Sequence, residues 1–148
     1  MAATKYLLVG SSGCGKTSLI FALLGQYDPD MRIAPTQGLT CCGPYIDLPG
    51  NYCDNPDCYS ILSVCSQQAQ FIILVMAANQ RSMLVPEGFV RLFIRPVIGV
   101  ITKIDELNAN CEKAELWLRR AGVTGPVFRV SARTGAGIPA LRHILQID

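Results

Sequence analysis

The chain has 148 residues, a formal net charge of +2 and 16% charged residues. This length suits a single domain, residues 1–148, with a buried core. Because the charge is near neutral and no run of Lys or Arg exceeds two residues, the composition indicates neither a nucleic-acid-binding nor a membrane-binding surface. Mean hydropathy is positive at +0.31, which we interpret as a sheet covered on both faces plus exposed apolar surface for a protein partner.

The sequence predicts a cytoplasmic protein. No apolar run approaches the roughly 18 residues of a membrane helix, and the nine residues before the first motif are too few for a secretory signal. In that compartment the seven cysteines are expected to be reduced thiols. Their spacing contains no C-x-x-C pair, so it predicts no zinc site.

The first predicted elements are a buried strand at 6–9 and an apolar helix from residue 18, and G-S-S-G-C-G-K-T lies between them at 10–17. This is a complete G-x-x-x-x-G-K-[ST] loop in the strand–loop–helix setting that the motif requires. Glycines let backbone N–H groups surround phosphate oxygens at the helix N-terminus. Lys16 would reach the outer phosphates, and the Thr17 hydroxyl would ligate Mg²⁺. The predicted phosphate contacts are Gly10, Ser12, Gly13, Cys14, Gly15, Lys16, Thr17 and Ser18.

Cys14 lies inside this loop, where the positive potential of a helix N-terminus tends to lower the pKa of a thiol. Oxidation of such a thiol would block nucleotide binding. The alternative is that Cys14 is a small residue at a variable position of the motif, and we favour that interpretation.

Turn residues fill 25–32, and no periodic pattern runs through 33–43, which we predict to be a loop. Thr36, in this loop, would ligate Mg²⁺ and contact the γ-phosphate in the triphosphate state. Thr40 is the competing candidate for this role, and an ordinary loop threonine is the simpler alternative.

A short strand at 44–48 ends in D-L-P-G at 47–50. Asp47 is expected to orient the ligands of Mg²⁺, and the Gly50 N–H is expected to reach the γ-phosphate. The predicted metal site is therefore Thr17, Thr36 and Asp47. The predicted catalytic residues are Lys16, Thr36 and Gly50.

Further predicted elements alternate between helix and strand. They are a helix at 55–68, a strand at 71–76, a partly helical segment at 80–94, a strand at 96–101, an amphipathic helix at 109–121, a strand at 127–130 and a helix at 138–147. This alternation predicts an α/β fold of the P-loop NTPase kind, a three-layer αβα sandwich around a mostly parallel sheet of five or six strands. Ligands of such sheets bind at the carboxyl ends of the strands, where every motif in this chain falls.

Two motifs at later strand ends predict a base-binding pocket. In T-K-I-D at 102–105, Asp105 would accept hydrogen bonds from the N1–H and exocyclic amine of guanine and so reject adenine. Lys103 would lie along the base and sugar. The alternative for Asp105 is a cap on the following helix. A backbone N–H of S-A-R would contact guanine O6. The predicted base contacts are Thr102, Lys103, Asp105, Ser131, Ala132 and Arg133.

The phosphate loop, Thr36, D-L-P-G, T-K-I-D and S-A-R occur in the order typical of small GTPases of the translation-factor class, and the chain resembles that class over essentially its whole length. The segments 35–52, 60–69, 96–105 and 121–128 resemble, more specifically, the EutP/PduV group. That resemblance implies a GTPase-like protein of the bacterial microcompartments for ethanolamine or propanediol utilisation, acting through a partner that is a shell protein or an encapsulated enzyme.

Three departures from the class modify these expectations. Thr102 replaces the usual Asn of N-K-x-D, which weakens guanine selectivity without abolishing it. Asn51 stands where many GTPases carry a water-positioning Gln, so hydrolysis is expected to be slow. Only ten residues separate Thr36 from Asp47, so we predict a truncated sheet edge beside five parallel strands.

The sequence thus predicts an Mg²⁺-dependent GTP-binding protein with slow GTP hydrolysis. The nearest arginine to the switch segments, Arg32, is expected to be a solvated loop residue rather than a catalytic group. One alternative is a P-loop kinase that phosphorylates a small metabolite such as acetate, although neither a lid nor a basic acceptor pocket is evident. Another is a nucleotide-binding scaffold with no significant turnover, which Asn51 supports.

Overall fold

The fold was analysed in a computed structural model that describes residues 4–31, 39–83 and 85–145. The strands are β1 (Tyr6–Val9), β2 (Thr40–Cys42), β3 (Tyr45–Asp47), β4 (Phe71–Ala77), β5 (Val97–Thr102) and β6 (Val127–Arg129). The α-helices are α1 (Lys16–Leu23), α2 (Asn51–Asp54), α3 (Tyr59–Ser66), α4 (Cys111–Ala121) and α5 (Ile138–Ile144), and 3-10 turns span Pro56–Cys58 and Phe89–Leu92.

The strands form one six-stranded sheet in the order β2-β3-β1-β4-β5-β6. All neighbours from β3 to β6 pair in parallel, and only β2 runs antiparallel, with Cys41 opposite Ile46. This confirms the α/β prediction and the truncated edge beside five parallel strands. The predicted loop at 33–43 is wrong for residues 40–42, because Gly43 (φ 59°) allows a tight turn that folds β2 back onto β3.

The sheet is covered on both faces, which explains why its central strands are continuous apolar runs. On β1, Leu7 joins a core cluster with residues of α3 and α4, whereas Leu8 joins a second cluster with residues of α1 and α5. Six of the seven residues of β4 are buried. The predicted three-layer arrangement is therefore confirmed, with one hydrophobic core on each side of the sheet.

Two predicted helices differ from the observed ones, and one observed helix was not predicted. The segment 55–68 begins as a 3-10 turn, because Pro56 follows Asn55 and the Asn55 side chain accepts a hydrogen bond from the Asp57 N–H, and it becomes α3 only at residue 59. The segment 80–94 is helical only as the 3-10 turn at 89–92, which follows Gly88 in a left-handed conformation (φ 74°). Helix α2 was not predicted at all.

Among the described residues, no helix has the length and apolar character that crossing a bilayer requires.

The start of α4 tests one local determinant of this fold. The Asn110 side-chain oxygen accepts a hydrogen bond from the Lys113 N–H at 3.1 Å, which satisfies one of the free N–H groups of the first turn. We expect Asn110→Ala to lower the free energy of unfolding by about 1 kcal/mol, measured by urea denaturation. Asn110→Asp keeps the acceptor and should stay close to the wild type. An Asn110→Ala protein as stable as the wild type would contradict this assignment.

Candidate nucleotide-binding site

The loop at 10–17 connects β1 to α1, and its backbone conformation depends on glycine. Gly13 and Gly15 adopt left-handed φ angles of 79° and 90°. At Gly10, a Cβ atom would lie only 2.6 Å from the Val75 carbonyl oxygen. The loop therefore packs against β4 more closely than a side chain would permit, and α1 begins within its last two residues, at Lys16. This is the backbone arrangement that binds phosphate at a helix N-terminus.

Lys16 is folded back over this loop. Its side chain is only 7% exposed, and its ammonium donates a hydrogen bond to the Gly10 carbonyl oxygen at 2.9 Å. The charged group is thereby held within the loop, where it can interact with phosphate oxygens. That Lys16 contacts the outer phosphates stays a prediction from the motif.

Thr17 and Asp47 lie together at the carboxyl edge of the sheet. The Thr17 hydroxyl donates a hydrogen bond to an Asp47 carboxylate oxygen at 2.8 Å. Mg²⁺ takes oxygen ligands and usually keeps several waters and substrate phosphates around one or two protein groups. A hydroxyl and a carboxylate beside a phosphate loop fit this requirement. No group of three or more His, Cys, Asp or Glu side chains suited to a metal occurs within the described segments.

Cys14 does not have the lowered pKa that its position in the loop suggested. The side chain is 2% exposed, and burial raises the pKa of its thiol. The positive charges of Lys16 and Lys103 act in the opposite direction but have the smaller effect. The side chain lies in the buried core, which supports the favoured interpretation of Cys14 as a small residue at a variable position rather than an activated thiol.

Gly50 brings the D-L-P-G turn into contact with the phosphate loop. A Cβ atom at Gly50 would lie 2.4 Å from both Cα and N of Ser12, so only glycine fits. From the same segment, the Asp54 side chain reaches the loop and accepts a hydrogen bond from the Ser12 N–H at 3.5 Å. The sequence analysis missed Asp54, because helix α2, which positions it, carries no periodic apolar pattern.

Thr102 and Lys103 connect the end of β5 to the phosphate loop. The Thr102 hydroxyl is buried and donates to the Cys14 carbonyl oxygen at 2.5 Å. The Lys103 ammonium donates to the Gly13 carbonyl oxygen at 2.7 Å. Lys103 also has φ of 61°, an unfavourable left-handed conformation for a residue with a long side chain. Both residues therefore hold the phosphate loop in place.

Asp105 is held by Ser131 of the S-A-R motif. One of its carboxylate oxygens accepts a hydrogen bond from the Ser131 hydroxyl at 2.8 Å, and the Ser131 oxygen accepts one from the Thr134 N–H at 3.1 Å. Ser131 is completely buried, whereas Asp105 is exposed at the rim of a pocket. The alternative that Asp105 caps the following helix is wrong, because Asn110 caps α4.

The pocket beside these motifs has a volume of about 320 Å³. Seven of the predicted contact residues line it, namely Gly15, Ser18, Thr102, Lys103, Asp105, Ala132 and Arg133. Sequence reasoning missed Tyr27, Pro29 and Asp30, which also line it. The signal that could have found them is an aromatic residue in the turn-rich segment that follows α1. Thr36 and Arg32 lie outside the described residues.

A glycine-dependent phosphate loop between β1 and α1, a Thr17–Asp47 pair and an adjacent pocket at the carboxyl edge of a parallel sheet define a protein of the P-loop NTPase class. Comparison with known proteins places it more narrowly. A family model described as ethanolamine utilisation - propanediol utilisation, PduV-EutP, matches residues 3–147, and the chain belongs to this family. The resemblance inferred from its motifs is thus confirmed.

Individual relatives cover most of the chain. The propanediol utilization protein PduV of Citrobacter freundii is 34% identical over 135 residues, which cover 90% of this chain and 87% of the relative. The probable acetate kinase EutP of Escherichia coli K12 is 29% identical over 138 residues, covering 93% and 86%. A protein of the same name from Salmonella typhimurium LT2 is 32% identical over 128 residues, covering 86% and 79%.

The Thr102 contact generates a prediction about stability. Thr102→Val keeps the shape of the side chain but removes the donor, which leaves the buried Cys14 carbonyl oxygen without this hydrogen bond. We expect the free energy of unfolding to fall by about 1–3 kcal/mol, measured by urea denaturation. Thr102→Ser retains the hydroxyl and should lose less. The assignment fails if the serine variant is no more stable than the valine variant.

Proposed function

We propose that the protein binds guanine nucleotides with Mg²⁺ and hydrolyses GTP slowly. The observation that carries this proposal is the hydrogen bond between Ser131 and Asp105, which orients an exposed carboxylate at the rim of the pocket. Guanine presents two adjacent donors, its N1–H and its exocyclic amine, and a carboxylate can accept from both. Adenine has an acceptor at N1, so this carboxylate would select against it.

The other end of the site supports a triphosphate. Gly13, Gly15 and Lys16 form the phosphate cradle described above, and Thr17 with Asp47 would hold Mg²⁺ beside it. We include Thr36 in this metal site by its sequence position alone. The Mg²⁺ ion would neutralise charge on the outer phosphates. Asn51 in place of a water-positioning Gln supports a low rate of hydrolysis.

The proposed cellular setting is a bacterial microcompartment for ethanolamine, propanediol or a related substrate, within the cytoplasm. Membership of the utilisation family supports it. A small nucleotide-binding domain would act through a partner, for which we propose a shell protein or an encapsulated enzyme. Exposed apolar side chains on and near α3, among them Val64 (61% exposed) and Ile94 (88% exposed), offer surface for such a contact.

A second candidate is a kinase that transfers phosphate to acetate, as the names of the EutP relatives indicate for those proteins. The same phosphate loop would serve this reaction. The candidates differ in the acceptor of the γ-phosphate, which is water in one case and a carboxylate in the other. A scaffold without turnover is the third possibility, and it makes the same binding prediction as the first.

Nucleotide binding tests the base assignment. We expect GTP and GDP to bind at least tenfold more tightly than ATP and ADP, a difference of about 1.4 kcal/mol, in a fluorescent-nucleotide displacement assay with Mg²⁺. Asp105→Asn exchanges one acceptor for a donor, so it should weaken GDP binding and strengthen xanthosine diphosphate binding. Unchanged GDP affinity in this variant, or an adenine preference of the wild type, would overturn the assignment.

Turnover with and without acetate separates the two reactions. We expect phosphate release from GTP at a slow rate that acetate does not change, together with no acetyl phosphate, measured by phosphate release and by hydroxamate formation. Acetyl phosphate formed faster than phosphate is released would favour the kinase. Absence of both products would leave the scaffold as the correct interpretation.

A further inference from the structure

The two ends of the site give the direction of a bound nucleotide. The base pocket lies beside Gly15 and Ser18, at the end of the phosphate loop that enters α1. The D-L-P-G turn meets the loop at its opposite end, where Gly50 abuts Ser12. A triphosphate that extends from the base pocket along the loop therefore places its terminal phosphate near Ser12 and Gly50.

The Asp54 carboxylate lies at that terminal-phosphate end. The Asp54 side chain accepts from the Ser12 N–H at 3.5 Å, and the Asp54 N–H in turn donates to the Gly50 carbonyl oxygen at 3.3 Å. The side chain is exposed and lies in the last position of α2. Its long hydrogen bond to Ser12 makes a weak restraint, so the carboxylate can move aside for a phosphate while it stays next to it.

We propose that Asp54 is a catalytic residue for GTP hydrolysis, the group that orients and deprotonates the attacking water. This inference rests on the proposed function. In the step, the water oxygen bonds to the γ-phosphorus and the bond to the β–γ bridging oxygen breaks, which leaves its electron pair on GDP. The Asp54 carboxylate accepts one proton from the water and later passes it to solvent. The products are GDP, inorganic phosphate and one proton.

The chemistry of the side chain favours Asp54 for this role. By residue type, the neutral amide of Asn51, the position after D-L-P-G, can orient a water but cannot accept its proton. The Asp54 carboxylate can do both. It also repels an anionic acceptor, so its charge favours water over acetate as the attacking group. Asp54 therefore bears on the choice between the two reactions as well as on the rate.

The test compares Asp54→Asn with the wild type in single-turnover GTP hydrolysis with Mg²⁺. We expect the rate to fall at least about 100-fold, the lower range for the loss of a general base. Binding of a non-hydrolysable GTP analogue, measured by displacement of a fluorescent nucleotide, should be unchanged or tighter, because a negative charge near the γ-phosphate has been removed. A merely structural role for Asp54 would weaken binding together with the rate.

Asp57→Asn is the matched control. It removes the same charge from an exposed position three residues further along, where the Asp57 backbone N–H contacts Asn55 rather than the phosphate loop. This variant should hydrolyse GTP like the wild type.

The inference is overturned if Asp54→Asn stays within threefold of the wild-type rate, if both variants lose rate equally, or if the wild type binds GTP but does not hydrolyse it. A failure of guanine selectivity alone overturns the proposed base contact, and the same comparison then uses whichever triphosphate binds.

Discussion

Two hydrogen bonds from the end of β5 hold the phosphate loop in its conformation. A loop of glycines has little intrinsic preference for one backbone path, so an ordered phosphate site needs outside contacts to fix that path. Thr102 and Lys103 supply them by donating to consecutive carbonyl oxygens, those of Cys14 and Gly13. These two carbonyl oxygens are thereby satisfied within the protein.

The same contacts make the phosphate loop and the adjacent pocket one structural unit. Asp105 follows Lys103 by two residues, and its hydrogen bond to Ser131 connects the T-K-I-D motif to the S-A-R motif. Residues from three segments that are far apart in sequence are thus linked in sequence order across the edge of the sheet. Thr102, which stands where the resembled GTPases usually carry Asn, contacts the phosphate loop through its hydroxyl.

Most of the fold could be predicted because its signals are local. Strand β4 is an apolar run, and the phosphate loop has a fixed spacing between a strand and a helix, so both could be read from a few residues. The features that were missed depend on contacts between distant segments. Strand β2 exists because Gly43 lets it pair with β3. Burial raises the pKa of the Cys14 thiol, and the residues next to Cys14 in the sequence do not indicate that burial.

The sequence motifs led to residues with one fixed chemical role each, and the structure brings Thr17 and Asp47 into contact. Asp54 and Tyr27 belong to no spacing rule and became evident only from the geometry. Tyr27 lies in the segment that follows α1 and lines the pocket, and Asp54 depends on a four-residue helix. Short elements of this kind form through tertiary packing rather than through intrinsic propensity.

Lys103 illustrates how two requirements meet at one position. Its left-handed backbone conformation would be most easily adopted by glycine or asparagine, yet neither of these can extend an ammonium group to the Gly13 carbonyl oxygen. The residue best suited to the backbone is therefore the wrong residue for the contact. With lysine at this position, the backbone of residue 103 stays strained. Relaxation of that strain would release the phosphate loop. The order of the loop and the conformation of residue 103 are therefore expected to change together.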